Sequence, residues 1–457
     1  MKPIRNAVIL GMAALAISGC AIIGGKGEKK PKTAVIGQRI AILTAESDAE
    51  LDPALADVSV LLPDAGENSE WTQPGGNDTK VMQHVALSRS IGPVWSKKIS
   101  GTTKYARLAA SPIVAEGKVF VVDTFARIHA YDAKTGSEAY TVQIGDQKDV
   151  KGGVSIWSGE MTGNRGSLFG GGVAYEGGRL FATNGIGDVE AFNAADGKRI
   201  WKVRPAGPLR GAPSISNGNV YVMSNDNQII TLAGGDGSTV WTQAGSVELS
   251  GIFGVGAPAI AQGTVVAGFS SGELNAYRYE NGRSLWGDAL ARTSITTSVA
   301  SLTDVDASPA IDRGRVFAIG QGGRMVSMEL VTGQRLWEIN VAGIATPWVA
   351  GEWVFVVDDQ ARLLCIARSN GKVRWISQLP RYHRNKSKNR PITWVGPILA
   401  GGRLIVASSE GQLGNIDPSN GKLQSQTKAG APVFLPPVVA GGTMYILSND
   451  GRLTAWR

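Results

Sequence analysis

The stretch DGKRIW, residues 196–201, decides the fold because close copies of it recur along the chain. Each copy has a glycine in a predicted turn and an aromatic residue four positions later. The copies pair Gly136 with Tyr140, Gly197 with Trp201, Gly237 with Trp241, Gly282 with Trp286, Gly333 with Trp337 and Gly371 with Trp375. A catalytic acid would not be needed six times, so the motif indicates a repeated structural unit and not a catalytic site.

A longer phrase surrounds each copy. ASPIVAEGKVFVVDTFARIHAYDAKTGSEAY opens at residue 110, and GAPSISNGNVYVMSNDNQIITLAGGDGSTVW opens at residue 211 and matches it turn for turn. Each phrase contains four runs of alternating apolar and polar residues, broken by Gly, Asn or Asp, which is typical of strands joined by tight turns. Others begin near residues 171, 256, 307, 346, 395 and 435. Eight phrases predict eight four-stranded antiparallel sheets.

The spacing of the phrases selects the architecture. Gly197 and Gly237 are 40 residues apart, which is the length of a propeller blade and not of a helical repeat. The eighth phrase stops at DGRLTAWR, 450–457, without a fourth strand, whereas PVWSKKI, 93–99, carries Trp95 and belongs to no phrase. We therefore predict an all-β, closed eight-bladed β-propeller whose last blade is completed by this N-terminal strand.

Two further columns of the phrase support stacked sheets, because a column of small residues precedes a column of large ones. The small column contains Ala130, Ala191, Thr231, Ala276, Ser327, Cys365, Asn415 and Ala455. Its neighbour contains Tyr131, Phe192, Leu232, Tyr277, Met328, Ile366, Ile416 and Trp456. Cys365 lies in the small column, so we interpret it as a buried structural residue and not as a nucleophile.

The N-terminal region is predicted to lie outside the ring. Residues 1–19 have a basic start and a short apolar run, which is typical of an export signal. The end of that run, ISGC, resembles the lipobox of bacterial lipoproteins, and this resemblance implies acylation of Cys20. Residues 20–80 are predicted to be a lipidated, largely disordered tether in which WTQPGGND, 71–78, docks on the body, and residues 81–457 are predicted to form the propeller.

Charge gives little indication of a nucleic-acid partner. The net charge of +8 is spread along the chain and accompanies no nucleic-acid motif. The run RYHRNKSKNR, 381–390, is interpreted as a solvated loop, with a phosphate or lipid-headgroup site as the alternative. The three histidines, His84, His129 and His383, lack the spacing of metal ligands. We predict no catalytic residue, no metal site and no cofactor.

The glycine-plus-tryptophan repeat resembles the pyrroloquinoline-quinone-like repeat of quinoprotein propellers. With a lipobox ahead of a bare ring, the chain is similar to the BamB family of outer-membrane assembly lipoproteins over roughly residues 92–457. The most specific stretch is LTDVDASPAIDRGRVFAIGQGGRMVSMELVTGQRLW, 302–337. The long polar stretch before residue 92 resembles the α-proteobacterial members.

This resemblance implies a non-enzymatic scaffold, lipid-anchored to the outer membrane and facing the periplasm. The partners that it implies are the POTRA domains of BamA, the other lipoproteins of the assembly machine and unfolded β-barrel precursors. Two alternatives stay open. One is a quinone-dependent dehydrogenase on the same fold, and the other is a propeller that binds a different component of the cell envelope.

A binding site is predicted on one face of the ring. The long insertions, 145–169, 287–306 and 380–394, all follow the fourth strand of a blade, and these joints open on one face together with the loops between second and third strands. Leu249, Ile252 and Phe253 are expected to form the apolar centre of a partner-binding patch, with Asp304 and Asp306 on its charged rim. The resemblance implies that these aspartates are partner-binding acids, and it places an arginine where this chain has Phe253. The alternative is that the aspartates only cap a turn.

Overall fold

A computed structural model describes residues 49–103, 106–146, 153–154, 161–162, 171–246, 256–290, 304–384 and 388–457. These residues form 36 strands and one short 3₁₀ helix, Pro53–Leu55. Among them, no helix has the length and apolar character needed to cross a membrane. The predicted signal peptide and Cys20 lie outside the described residues.

Eight four-stranded antiparallel sheets form the blades of a propeller, as predicted. Blades 1 to 4 consist of β2–β5 (Ile113–Ala115, Lys118–Val122, Arg127–Asp132, Glu138–Gln143), β8–β11 (Val173–Glu176, Arg179–Thr183, Val189–Asn193, Arg199–Val203), β12–β15 (Leu209–Ser216, Asn219–Ser224, Gln228–Ala233, Thr239–Ala244) and β16–β19 (Ala259–Ala261, Thr264–Gly268, Glu273–Arg278, Ser284–Ala289).

Blades 5 to 7 consist of β20–β23 (Ala310–Asp312, Arg315–Ile319, Met325–Glu329, Arg335–Ile339), β24–β27 (Trp348–Ala350, Trp353–Val357, Arg362–Ala367, Val373–Gln378) and β30–β33 (Trp394–Ala400, Arg403–Ser408, Gln412–Ile416, Leu423–Lys428). Blade 8 consists of β34–β36 (Val438–Ala440, Thr443–Leu447, Arg452–Trp456) and β1 (Pro93–Lys98). Two small hairpins lie in the joints between blades, β6–β7 (Gly153–Val154, Met161–Thr162) and β28–β29 (Tyr382–Arg384, Asn389–Pro391).

The first and last strands of the propeller close the ring. Strand β1 pairs antiparallel with β36, and Trp95 lies opposite Ala455. The predicted mixed last blade is therefore confirmed, with the N-terminal strand spanning 93–98. Closure gives the last blade the same four strands as the others and leaves no incomplete sheet in the ring.

One aromatic residue on the outer strand of a blade fastens that blade to the next, and we call it the aromatic latch. In blade 5 the latch is Trp337, which lies opposite the small residue Ser327. Its indole covers Gly371 in the turn of blade 6, where an added Cβ would lie 2.8 Å from the ring, and its Nε1 donates to the carbonyl of Arg368 at 2.9 Å. The small residue makes room for the indole, and the glycine lets it approach the turn.

The aromatic latch recurs at seven blade-to-blade contacts. Its residues are Trp95, Tyr140, Trp201, Trp241, Trp286, Trp337 and Trp375, and each donates from its ring N–H or O–H to a carbonyl of the following blade. Cys365 lies opposite the last of them and is fully buried. Burial raises the pKa of the Cys365 thiol well above its ordinary value, which fits the predicted structural role.

Residues 49–80, which were predicted to belong to a largely disordered tether, include residues that contact the blades in the structure. Trp71 docks as the sequence indicated, with 3% of its surface exposed and its ring stacked on Trp348 at 6.2 Å. Further toward the N-terminus, Leu51 forms a bridge with Val373 on the outer strand of blade 6. Buried apolar and hydrogen-bonded contacts offset the entropy of ordering this polar stretch.

Candidate functional site

Joints between consecutive blades meet the loops between second and third strands on one face, which we call the loop face. Residues 304–306 form the described end of the joint that leads into β20. Val305 is 1% exposed and fills a space beside Gly268, where an added Cβ would lie 2.5 Å from its side chain. The N–H of Val305 donates to the carbonyl of Phe269 at 3.1 Å. The joint is thus wedged against blade 4, and the acids flanking Val305 are held in place.

Three charged side chains converge at this joint. Arg210, near the start of the long inner strand β12 of blade 3, has its Nη2 4.0 Å from the Oδ1 of Asp306, and it also donates to the hydroxyl of Ser270. The charges of both Asp304 and Asp306 act on Arg210. We call Arg210, Asp304 and Asp306 the charged cluster. It joins blade 3 to the joint before blade 5, although its members are almost a hundred residues apart.

Gln321, in the loop between the second and third strands of blade 5, fixes the acids from the other side. Its side-chain amide donates to the Oδ2 of Asp306 at 2.7 Å, and its backbone N–H donates to the carbonyl of Asp304 at 2.9 Å. The carboxylate of Asp306 is therefore held between an amide and a guanidinium. Such a carboxylate is positioned and not merely solvated.

Burial sets the electrostatics of the charged cluster. Asp304 is 1% exposed, and the side chain of Asp306 is 8% exposed. Burial, and next the neighbouring charge of Asp304, raise the pKa of Asp306 to about 7, against the opposing effects of Arg210 and Gln321. Burial also lowers the pKa of Arg210, while the two acids raise it. The cluster therefore changes its charge near neutral pH.

The two acids lie deeper in the structure than the rim that the sequence led us to expect. Asp304 and Asp306 lie together on the loop face beside Arg210, where Asp304 is buried and the side chain of Asp306 is 8% exposed. Leu249, Ile252 and Phe253 lie outside the described residues. Their apolar patch stays a prediction.

Sequence reasoning missed Arg210 and Gln321. The available signal was the stretch PLRGAP, 208–213, which places a cation at the start of an inner strand, after a joint without a long insertion. Its pairing with Asp306 could not be read from the sequence, since the two residues occupy different repeats. Gln321 gave no signal beyond its place in a turn.

The described part of the basic run and the histidines show no metal site. The ends of the basic run form the β28–β29 hairpin, and within it His383 lies 3.2 Å from Glu410. Within the described ranges, no three or more His, Cys, Asp or Glu side chains are grouped as metal ligands.

Comparison with known proteins identifies the family. The profile of the family described as outer membrane protein assembly factor BamB matches residues 81–151, 146–377 and 384–456. A curated relative of that name from Escherichia coli strain K12 is 28% identical over 317 residues, covering 69% of this chain and 76% of the relative.

Two solved structures share the fold. The crystal structure of BamB from Moraxella catarrhalis has a TM-score of 0.62 at 19% identity, and it covers 80% of this chain and 100% of its own. A europium-containing methanol dehydrogenase has a TM-score of 0.67 at 12% identity, and it covers 85% of this chain and 98% of its own. At these identities the likeness shows the propeller and not the chemistry. The profile match extends over most of the ring, and the chain belongs to the BamB family of outer membrane protein assembly factors.

Proposed function

We propose that this protein is a non-enzymatic scaffold of the outer-membrane β-barrel assembly machine, and that it holds the POTRA domains of BamA on its loop face. Membership of the BamB family carries the proposal. The other lipoproteins of the machine are further partners, and unfolded β-barrel precursors are transient ones. Acylation of Cys20 anchors the protein to the periplasmic side of the outer membrane.

The charged cluster supports the loop face as the binding face. A propeller is a rigid support, and irregular segments on a rigid support are where binding residues concentrate. The cluster brings a cation and two acids from separate joints to one place, with Leu249, Ile252 and Phe253 expected in the joint between them. An apolar centre beside positioned charges is the composition of a specific protein interface.

Arg210 supplies a positive charge on the loop face. The family resemblance places an arginine where this chain has Phe253. In the structure, Arg210 comes from the preceding blade and lies 4.0 Å from Asp306. We infer that it compensates for the missing cation and holds Asp306 in place on the loop face.

Phe253→Glu gives the clearest test, because it puts a charge at the expected apolar centre. We expect co-purification with BamA from detergent-solubilised membranes to fall at least tenfold at an unchanged melting temperature, since one buried anchor contributes about 2 kcal/mol or more. Glu280→Lys is the matched control, because Glu280 is exposed in the turn of blade 4 on the opposite face. Undiminished binding by the Phe253→Glu protein would place the interface elsewhere.

A neutral substitution tests the role of the acids better than charge reversal does. Lysine at position 304 or 306 would place a second buried cation beside Arg210 and would destabilise the fold as well as the interface. Asp306→Asn keeps the shape and removes the charge. If the Asp306 charge is recognised, binding of the unmodified protein should weaken as pH falls from 8 to 6, because the carboxylate protonates near pH 7. The Asp306→Asn protein should show no such pH dependence, and equal pH profiles would contradict a role for this charge.

Two measurements test the remaining parts. Cys20→Ser should move the folded protein out of the outer-membrane fraction, and retention there would show that partners supply the anchoring. The dehydrogenase alternative predicts a quinone redox response from the purified protein after incubation with the quinone cofactor and Ca²⁺. The scaffold proposal predicts none.

A further inference from the structure

The N-terminal segment 66–88 circles the axis of the propeller once, in blade order. It meets blade 8 at Asn68, blade 1 at Trp71, blade 3 at Gln73, blade 6 at Gln83 and blade 7 at Val85. The residues between these positions reach blades 2, 4 and 5. No strand of any blade supplies this path, because the segment precedes β1.

Each contact uses the free inner edge of an innermost strand or the turn that follows that strand. The hydrogen bonds, taken in blade order from blade 1, join Trp71 with Val114 in both directions, Tyr175 N–H with Thr72 O, Gln73 with Ile215 in both directions, Ile260 N–H with Asp78 O, Ile311 N–H with Thr79 O, Gly351 N–H with Gln83 Oε1, Val85 N–H with Leu399 O, and Asn68 Nδ2 with Val439 O. Their lengths run from 2.6 to 3.1 Å. Every blade is therefore tied to one segment.

The circuit closes on itself. Gly66 and Val85 form a parallel bridge, in which the N–H of Gly66 donates to the carbonyl of His84 and the N–H of Ala86 donates to the carbonyl of Gly66. The two ends of the path are thus joined beside blade 7. The path therefore forms a closed ring that is held by two backbone hydrogen bonds.

Buried side chains anchor the circuit. Trp71, Gln73 and Lys80 are 3%, 3% and 2% exposed. The ammonium of Lys80 donates to Oε1 of Gln73 and to the hydroxyl of Ser214, each at 3.0 Å. Burial lowers the pKa of Lys80 to about 7, and the charge of Asp78 opposes this effect. Anchors so far from solvent belong to a packed interface and not to a loosely adsorbed tail.

The circuit lies on the face opposite the charged cluster. Gly401 and Gly441, in the turns between the first and second strands of blades 7 and 8, donate to Val85 and Asn68. Because strands alternate in direction, these turns open away from the loop face. The segment and the proposed partner site therefore occupy different faces.

We propose that residues 66–88 form a clasp, an intramolecular ligand that contacts all eight blades at the inner edge of the innermost strand or at the turn that follows it, closes the ring a second time and denies these inner edges to other extended polypeptides. Unpaired strand edges are templates for strand addition. A propeller has eight such edges around its axis, and this chain covers them with its own N-terminal segment.

Cleavage after folding tests the clasp in the full chain. A specific protease site is inserted between Arg89 and Ser90, which are exposed in the link between the clasp and β1. We expect the cleaved N-terminal fragment to co-elute with the propeller in gel filtration and the melting temperature to stay unchanged. Immediate loss of the fragment, with a propeller that melts as before, would overturn the proposal.

Substitutions within the clasp sharpen the test. The triple variant Asn68→Ala, Gln73→Ala and Gln83→Ala removes side-chain contacts with blades 8, 3 and 6 while keeping the backbone path. After cleavage, its fragment should dissociate at least tenfold faster than the unsubstituted fragment, and a synthetic peptide of residues 66–88 should rebind the exposed edges.

Glu67→Ala is the control, because Glu67 is exposed within the same segment. Equal dissociation rates, or failure of the peptide to bind, would count against the clasp. Partner binding plays no part in this assay, so its outcome is independent of the proposed function.

Discussion

Seven blade-to-blade contacts carry an aromatic latch, whereas the contact between blades 7 and 8 does not. At the latch position of blade 7 the chain has Ser425, opposite Asn415, and its hydroxyl accepts from the Asn415 amide at 2.9 Å. Arg403 donates to the same Asn415 side chain at 3.1 Å. All six residues of β33 are exposed, unlike the half-buried outer strands of the other blades. A polar network within blade 7 occupies the position that the aromatic residue takes in the other blades.

The topology of the last blade explains the difference. A latch packs on the glycine turn between the third and fourth strands of the next blade. In blade 8 those strands are β36 and β1, which come from opposite ends of the ring and are not joined by a turn. An aromatic residue at 425 would have no turn to cover. The comparison teaches that an aromatic latch depends on a glycine turn in the next blade. The strand that carries the latch residue does not determine where a latch forms.

Deleting residues 93–98 should produce the largest effect. The deletion removes the outer strand of blade 8 and the latch Trp95, so the ring loses both its closure and one blade contact. We expect the melting temperature to fall by about 10 °C or more, measured by circular dichroism. An unchanged melting temperature would show that β1 does not close the ring.

Trp337→Ala should cost about 3–5 kcal/mol of unfolding free energy, because it empties a packed site and removes the hydrogen bond to Arg368. Ser425→Ala is the matched substitution at the contact without a latch, and it should cost about 0.5 kcal/mol or less. Urea denaturation of both variants gives the two values. Similar losses would mean that the contacts do not differ in the way described.

Gly333→Ala should cost about 1–3 kcal/mol, since the new Cβ would lie 2.4 Å from the indole of Trp286 at a φ of +71°. Gly314→Ala is the control at a φ of +73°, where nothing lies within 4 Å of the added Cβ. The control isolates the backbone cost, which is about 1–2 kcal/mol for an L-residue in the left-handed region. The difference between the two losses of unfolding free energy measures the latch contact alone. Equal losses would show that the latch does not require a glycine at position 333.

Ser425→Trp should change the unfolding free energy by only about 0.5 kcal/mol, because blade 8 offers no turn for the indole to cover. Thermal melts of this variant beside the unsubstituted protein provide the measurement. A gain of 1 kcal/mol or more would show that the strand, and not the turn, determines where a latch can form.

The sequence predicted the ring well because its signals are local and repeated. A glycine and an aromatic residue four positions apart give the turn and the latch within one hairpin, and 40-residue spacing gives the blade. Residues 71–78 were expected to dock, but the ordering of residues 49–80 was missed, since this stretch is polar and has no strand periodicity.

The candidate site was predicted only in part. Asp304 and Asp306 were identified from the stretch 302–337, and in the structure they lie together on the loop face. Their burial, and the contact with Arg210, depend on how the joint before blade 5 packs against blade 4 and reaches blade 3.

The sequence by itself therefore determined the number of blades, their strand order, the closure by the N-terminal strand and the places of the latches. Only the tertiary structure decided the circuit of residues 66–88, the gathering of Arg210 with the two aspartates and the polar contact at Ser425. The physical reason is the range of the interactions. Periodicity reports contacts between neighbouring strands of one blade, whereas the clasp and the charged cluster join residues from separate blades that no repeat brings together.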